Sequence, residues 1–455
     1  MVVRQPNETT NFAFLKQTYQ LWKSENTLKV SKRILLALFV LASLSAGIAL
    51  QSEGAEVSGR AKRHPAQWKF WREQQYMTGN WAGLRDERDK LVDSGITATA
   101  AYVTDILGNP VGGIDQAIAY AGSLDVDIAF DLEKLGNLKG LEFEVSASWS
   151  SGRDLSAEDI GNIIPVSQTF NGDSVRLAGL SLEQSLFAGD LSIRAGRIAT
   201  GDEFLTSPPF YHFVSSAING NPQSVSINVP SFTSFPVMTW GIRVRAEPVE
   251  RFYVMGGAYN SDPSLGRDSA HGVDFSFSGD VFAIGEIGYI HNQEEGSSGL
   301  PGNYKIGGYY DSEDFTDLSN PLRKHAGNYG LYVLVDQMVY REGGPESHQG
   351  LTPFVAFTFA PSDRNTLPFY FYTGLVYHGL FPGRDSDVTA FGLAYGKFSD
   401  DLSGQDFEMV LEWTHEIAIA PWLSLQPDVQ YIIKPSGTSS IPDALVLGAE
   451  IAINF

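Results

Sequence analysis

The sequence predicts an all-β protein: a transmembrane 16-stranded antiparallel β-barrel with a short N-terminal helical segment. Three observations predict it. First, the chain ends in strict alternation, with Leu445, Leu447, Ala449, Ile451, Ile453 and Phe455 on one parity. Gly448, Glu450, Ala452 and Asn454 occupy the other, which makes a strand with one apolar and one polar or small face. Second, the same pattern recurs upstream, and its repeats sum to an even number, as a bacterial single-chain barrel requires. Third, Lys32 and Arg33 precede an apolar run over 34–49 that reads as a secretory signal peptide. No later run approaches the ~20 residues of a membrane helix. An exported chain that enters lipid without helices must do so as a closed sheet, because only helices and closed sheets satisfy their own backbone there.

The elements follow in chain order. Residues 1–49 form a leader and signal peptide, with cleavage expected near Ala46 or Ala49. Residues 50–77 are polar and aromatic and read as a linker. Over 78–95, Trp81, Leu84, Leu91 and Val92 share roughly one helical face and Gly95 suits a C-cap, so a periplasmic amphipathic helix is expected. From Ile96 the period switches to two. Strands are expected at 96–105, 119–131, 141–149, 175–185, 191–198, 239–246, 252–260 and 273–291, the last divisible into two pieces. Eight more follow at 302–311, 329–340, 350–360, 368–377, 387–398, 406–417, 423–433 and 443–455, so that 96–455 is the outer-membrane barrel.

Connections sort by length. Turns after even-numbered strands are short (134–140, 187–190, 248–251 and 418–422), whereas 150–174, 199–238 and 312–328 read as long extracellular loops. Parity sorts the side chains as well. Phe407, Met409, Leu411 and Trp413 oppose Glu408, Glu412, Thr414 and Glu416, and Leu124, Val126, Ile128 and Phe130 oppose Asp125, Asp127 and Asp131. A soluble antiparallel sheet also alternates. The export signal, the aromatic C-terminus and the lack of other apolar elements to cover so many faces favour lipid.

Composition bounds the function. The chain has 455 residues, 32 basic and 53 acidic, for a formal charge of −21. Such acidity argues against a nucleic-acid partner, which needs a basic face. The absence of Cys removes thiolate metal sites and disulfides. No cofactor is expected. Gly172-Asp173-Ser174 is similar to a hydrolase nucleophile block, but it sits in an expected loop without the parallel α/β context. The eight His residues show no His-Glu-x-x-His spacing, so no enzyme is expected.

The sequence resembles the carbohydrate-selective outer-membrane porins of the OprB type. The resemblance is carried by Thr78-Gly-Asn-Trp81-Ala-Gly-Leu-Arg85, by Asp125 to Leu135, and by Leu182-Glu183-Gln184 followed by Arg194-Ala-Gly-Arg197. Trp240-Gly241, Gly379-Leu-Phe-Pro-Gly-Arg-Asp385 and Leu425-Gln-Pro-Asp-Val-Gln-Tyr431 complete it, over about 76–455. The resemblance implies passive diffusion of monosaccharides or similar small polar solutes across the bacterial outer membrane. A general small-solute porin without sugar selectivity is the alternative. The implied partners are small carbohydrates and outer-membrane lipid, with the chain acting as a monomer or homotrimer.

A bore of sixteen strands holds water, and selectivity follows from its charges and inward loops. Arg194, Arg243 and Arg245 take the inward parity on neighbouring strands. Set against Glu183, Glu142, Glu144, Asp125 and Asp127, they are expected to line the pore with a transverse field. The loop 199–238 carries Phe210, Tyr211, Phe213 and Phe232. So much aromatic surface needs cover. It is expected to fold into the lumen, with its rings either stacking on a sugar or packing the loop against the wall.

Overall fold

In a computed structural model, residues 85–262, 277, 279–293, 297–344 and 347–455 are described. The expected signal peptide, the linker and the start of the helix at 78–95 lie outside them. The helix α1 (Arg85–Asp93) leads through Ser94 to Gly95, whose φ is +95°. A Cβ on Gly95 would sit 2.9 Å from the Lys134 Cβ, so the left-handed step and the close approach both require glycine.

The strands follow without another intervening domain. They are β1 (Ile96–Val111), β2 (Ile118–Asp131), β3 (Leu141–Gly152), β4 (Ser174–Leu186), β5 (Leu191–Ile198) and β6 (Thr239–Val249). Next come β7 (Phe252–Ser261), β8 (Asp280–His291), β9 (Gly302–Thr316) and β10 (Lys324–Gln337, resumed at Tyr340–Arg341). The set ends with β11 (Gly350–Phe359), β12 (Phe369–His378), β13 (Val388–Lys397), β14 (Phe407–Ala420), β15 (Leu423–Ile433) and β16 (Ala444–Asn454). Both pieces of β10 pair with β11, so the described residues form sixteen barrel strands. Each is antiparallel to its neighbours, and β1 closes on β16 from Ala101↔Asn454 to Leu107↔Gly448.

Three expectations shift. The loop expected at 312–328 shrinks to 317–323, because β9 and β10 run further. Asp317 makes the tight reversal possible by accepting the N–H groups of Ser319 (3.0 Å) and Asn320 (2.9 Å). The strand expected at 273–291 is described only from Asp280, since 273–276 lie outside the described residues. The turn expected at 134–140 is entered through a short helix, α2 (Leu132–Gly136). Asp131 caps it by accepting from the N–H of Glu133 and Lys134, and Asn137 ends it in the left-handed region.

The barrel is apolar outside, and within it polar side chains share the wall with buried rings such as Phe282, Phe354 and Tyr372. Trp149, Val175, Leu182, Ile287, Ile306, Leu331, Phe391 and Trp413 are exposed on the outer face. Their inward neighbours, among them Glu144, Ser146, Ser148, Glu286, Asp336, Glu412 and Asp428, are buried. Exposed Tyr120, Tyr304, Tyr310, Tyr329, Tyr340 and Tyr431 add aromatic rings to the outer face, the side chain favoured where lipid meets water. No helix among the described residues is long and apolar enough to cross a membrane.

Candidate functional site

Inward charges of β3–β6 form contact pairs within one wall. Arg194 donates to Glu144 (Nη2···Oε2 3.1 Å), and Arg243 donates to Glu183 (Nη2···Oε1 3.2 Å). Glu203, from the loop 199–238, lies between the two arginines. It accepts from Arg194 Nη1 at 3.4 Å and from both Nε and Nη2 of Arg243. The order Glu144–Arg194–Glu203–Arg243–Glu183 is therefore an alternating chain of charge. Arg243 is fully buried and Arg194 nearly so. This corrects the expected transverse field for these two residues. Their guanidiniums meet carboxylates at contact distance and do not face open water, because Glu203 covers them.

Arg245 differs. It donates to Glu247 (Nη2···Oε1 3.1 Å) and lies 4.1 Å over the Tyr253 ring, half-buried. Asp125 accepts from the Ser123 hydroxyl and is half-buried, as is Glu142, while Asp127 is buried.

The loop 199–238 lies inside the barrel, tied to strands around the bore. Val214 and Ser215 donate backbone N–H groups to Glu412 on β14 (2.7 and 3.2 Å), and Leu205 donates to Glu286 on β8 (3.3 Å). Lys305 on β9 donates to the Thr206 carbonyl at 2.7 Å. Ser207 donates to Asp336 on β10 and Ser231 to Asp311 on β9. The short helix α3 (Gln223–Asn228) is held at its end by Asn228, which donates to the Leu367 carbonyl at 2.7 Å and accepts from the Leu367 N–H at 2.9 Å. A buried loop backbone needs such partners, and the inward carboxylates supply them.

The aromatic residues of this loop divide. Phe210 meets Phe354 and Tyr372 edge-on at 5.3 and 4.9 Å between centroids, Phe213 meets Phe354 at 5.6 Å, and Phe232 meets Phe282 at 6.0 Å. All three are buried, so their rings pack the loop to the wall. Tyr211 is 37% exposed and shares a hydrogen bond with Thr206 at 2.7 Å.

A second loop, 153–173, also turns inward, which the sequence reading missed. Glu408 on β14 accepts from the N–H of Ile163 (2.9 Å) and Ile164 (2.8 Å), and Gln430 on β15 donates to the Val166 carbonyl at 2.8 Å. The two loops brace one another through Gln168 N–H to Val214 carbonyl (3.0 Å) and Ser216 N–H to Pro165 carbonyl (3.1 Å). The available signal was the apolar set Ile160, Ile163, Ile164 and Val166 in a stretch that should have been polar if exposed. Glu203 carried no such signal, being one acid among many.

Ser174, of the hydrolase-like block, is buried and accepts from Arg176 Nε at 2.9 Å. Among the described residues there is no group of three His, Asp or Glu that could hold a metal ion.

The match that decides the family is to the one described as carbohydrate-selective porin, OprB family, over residues 115–455. This chain belongs to that family. It is a porin, a channel of the bacterial outer membrane and not an enzyme. It is 26% identical to Porin B of Pseudomonas aeruginosa over 96% of this chain and all of that protein. The porin fold also matches the high-pH structure of Pseudomonas putida OprB with a TM-score of 0.76 and 28% identity, covering 84% of this chain and 98% of that one. A further relative is the putative porin QuiX of Acinetobacter baylyi, 24% identical over 85% of this chain and 94% of its own length.

Proposed function

We propose that the bore passes neutral monosaccharides and similar small polar solutes down their gradient, with the loop 199–238 as its constriction. The observation that carries this reading is the seating of that loop across the bore, tied to β8, β9, β10 and β14. The Arg194 and Arg243 guanidiniums are paired with carboxylates, and Glu286, Asp336 and Glu412 accept from N–H and hydroxyl groups of the loop, so the passage offers dipoles and hydrogen-bonding groups to a solute. Asp125, Glu142, Arg245 and Tyr211 are the nominated residues that keep some exposure, and they are the candidates for solute contact. A pore without sugar preference is favoured by one fact: three of the four nominated rings face the wall, which leaves Tyr211 to stack.

Each chain closes its own barrel, so the unit of permeation is one copy, whether it stands alone or in a homotrimer. Liposome swelling with neutral sugars, amino acids and organic acids of equal mass tests the reading. Sugars are expected to enter fastest, and a variant lacking 205–235 should admit all three classes at nearly one rate. Equal rates through the intact protein would reduce it to a general pore. An unchanged single-channel conductance in the deletion variant would remove the loop from the constriction.

A further inference from the structure

Between the two inward loops and the β1–β2 wall lies a chamber of about 320 Å³ on the long-loop side of the barrel. That volume is at the lower end for small-molecule pockets. Gln168, Phe170 and Asn171 come from the loop 153–173, and Gln223, Ser226 and Phe235 from the loop 199–238.

The polar groups here are unspent. The side chains of Gln168, Gln223 and Ser226 have no hydrogen-bond partner among the described residues. Asn171 spends one amide N–H on the Thr169 carbonyl at 3.4 Å and keeps its carbonyl oxygen. Gln223 and Ser226 are three apart on α3 and so share a face, whereas Ser224, Val225 and Asn228 are buried. Gln168 is exposed, and the Phe170 and Phe235 rings are half-buried.

Among the described residues, the one cation at the chamber is ion-paired, and each of its acids accepts at least one hydrogen bond. Arg153 pairs with Glu158 at 2.8 Å and Asp159 at 2.6 Å, Asp154 accepts the Ala157 N–H at 3.0 Å, and Asp105 accepts from Ser167. What remains toward the two loops is a set of primary amides and a hydroxyl beside two rings, with Asp105 on the wall behind them. Amides that offer donor and acceptor together suit adjacent hydroxyls, and aromatic faces suit a ring of C–H groups.

We infer that this chamber is an outer subsite that holds a neutral polyhydroxylated solute of hexose size before it reaches the constriction. The inference rests on the carbohydrate reading above. The backbone on both sides is fixed in advance by Gln168 N–H to Val214 carbonyl and by Asn221, whose amide donates to the carbonyls of Gly201, Phe204 and Leu205 at 3.0 to 3.1 Å. A site so braced loses little order when it binds. Binding stays weak because few groups contribute, which suits a pore whose solute must leave again.

The test is single-channel current in planar bilayers with D-glucose added to the long-loop side. Glucose should depress the intact protein's current in a saturable way. In a Gln168→Ala, Gln223→Ala double variant the half-saturating concentration should rise about tenfold, the loss of two modest hydrogen bonds, with sugar-free conductance unchanged. Phe170→Ala, made separately, should raise it as well, and it stands in if the double variant forms no channel. An unchanged half-saturation in a variant that conducts normally overturns the subsite and leaves the carbohydrate reading intact. Intact protein that shows neither glucose-dependent current nor glucose swelling overturns both.

Discussion

Glu203 shows how much can depend on one side chain. It is buried and serves two buried arginines from different strands, which in turn hold Glu144 and Glu183. Removing one member of a buried charge set leaves the others desolvated and short of partners, at a cost of about 3–5 kcal/mol. A Glu203→Gln variant keeps the shape and loses the charge. Its stability from urea unfolding should fall by an amount in that range, and its single-channel conductance should rise as the start of the loop loosens. Unaltered unfolding would mean that the arginines find other acceptors. Parity alone placed Arg194 and Arg243 inward. It could not say that a residue from a distant loop would cover them, since that pairing joins positions 40 apart in the case of Arg243.

At the scale of elements, loops decide how the bore is used. The reversal 317–323 is organised by Asp317, which accepts from the Ser319 hydroxyl (2.7 Å), the Ser319 and Asn320 N–H groups and His325 Nε2 (2.9 Å). These bonds, the Ser319 hydroxyl first and His325 next, hold its carboxyl well below the ordinary aspartate range. A carboxyl whose value is depressed by folding stabilises the folded loop fully above its unfolded value and loses that support as pH falls through the folded one. Amide exchange in 317–323 should therefore stay slow down to mildly acidic pH and quicken only in strong acid. In Asp317→Asn the fast exchange should be present at neutral pH; equal protection in both proteins would show that the turn holds without the carboxylate. The loop 199–238 was expected inside because its rings needed cover, and the loop 153–173 was overlooked because its aliphatic residues are fewer and scattered.

At the scale of the whole molecule, closure is the structural event that makes a pore. An open sheet would leave two edges of unpaired backbone in lipid. The seam between β1 and β16 prevents that, and Gly448 lies within it where there is no room for a side chain: a Cβ there would meet the Ile106 carbonyl oxygen at 2.1 Å. Gly448→Val should prevent the seam from forming, seen as loss of the compact, faster-migrating species on unheated gel electrophoresis. Gly256→Ala on β7, where the nearest atom to an added Cβ is 3.8 Å away, should keep that species. If both variants migrate alike, the seam tolerates bulk and closure rests elsewhere.

The sequence by itself determined the barrel. Alternation fixes which side chains meet lipid and which meet the bore, because a strand has only two faces and a one-residue slip exchanges them. It also carried the family motifs, from the Asp125 region to the Leu425–Tyr431 stretch. Tertiary structure alone decided what the inward residues do. Contact between Glu203 and Arg243, between Glu412 and the Val214 N–H, or between Glu408 and Ile163 depends on where a loop comes to rest within the cylinder. No local period records that position, for it is selected by buried backbone groups finding acceptors on strands far away in the chain.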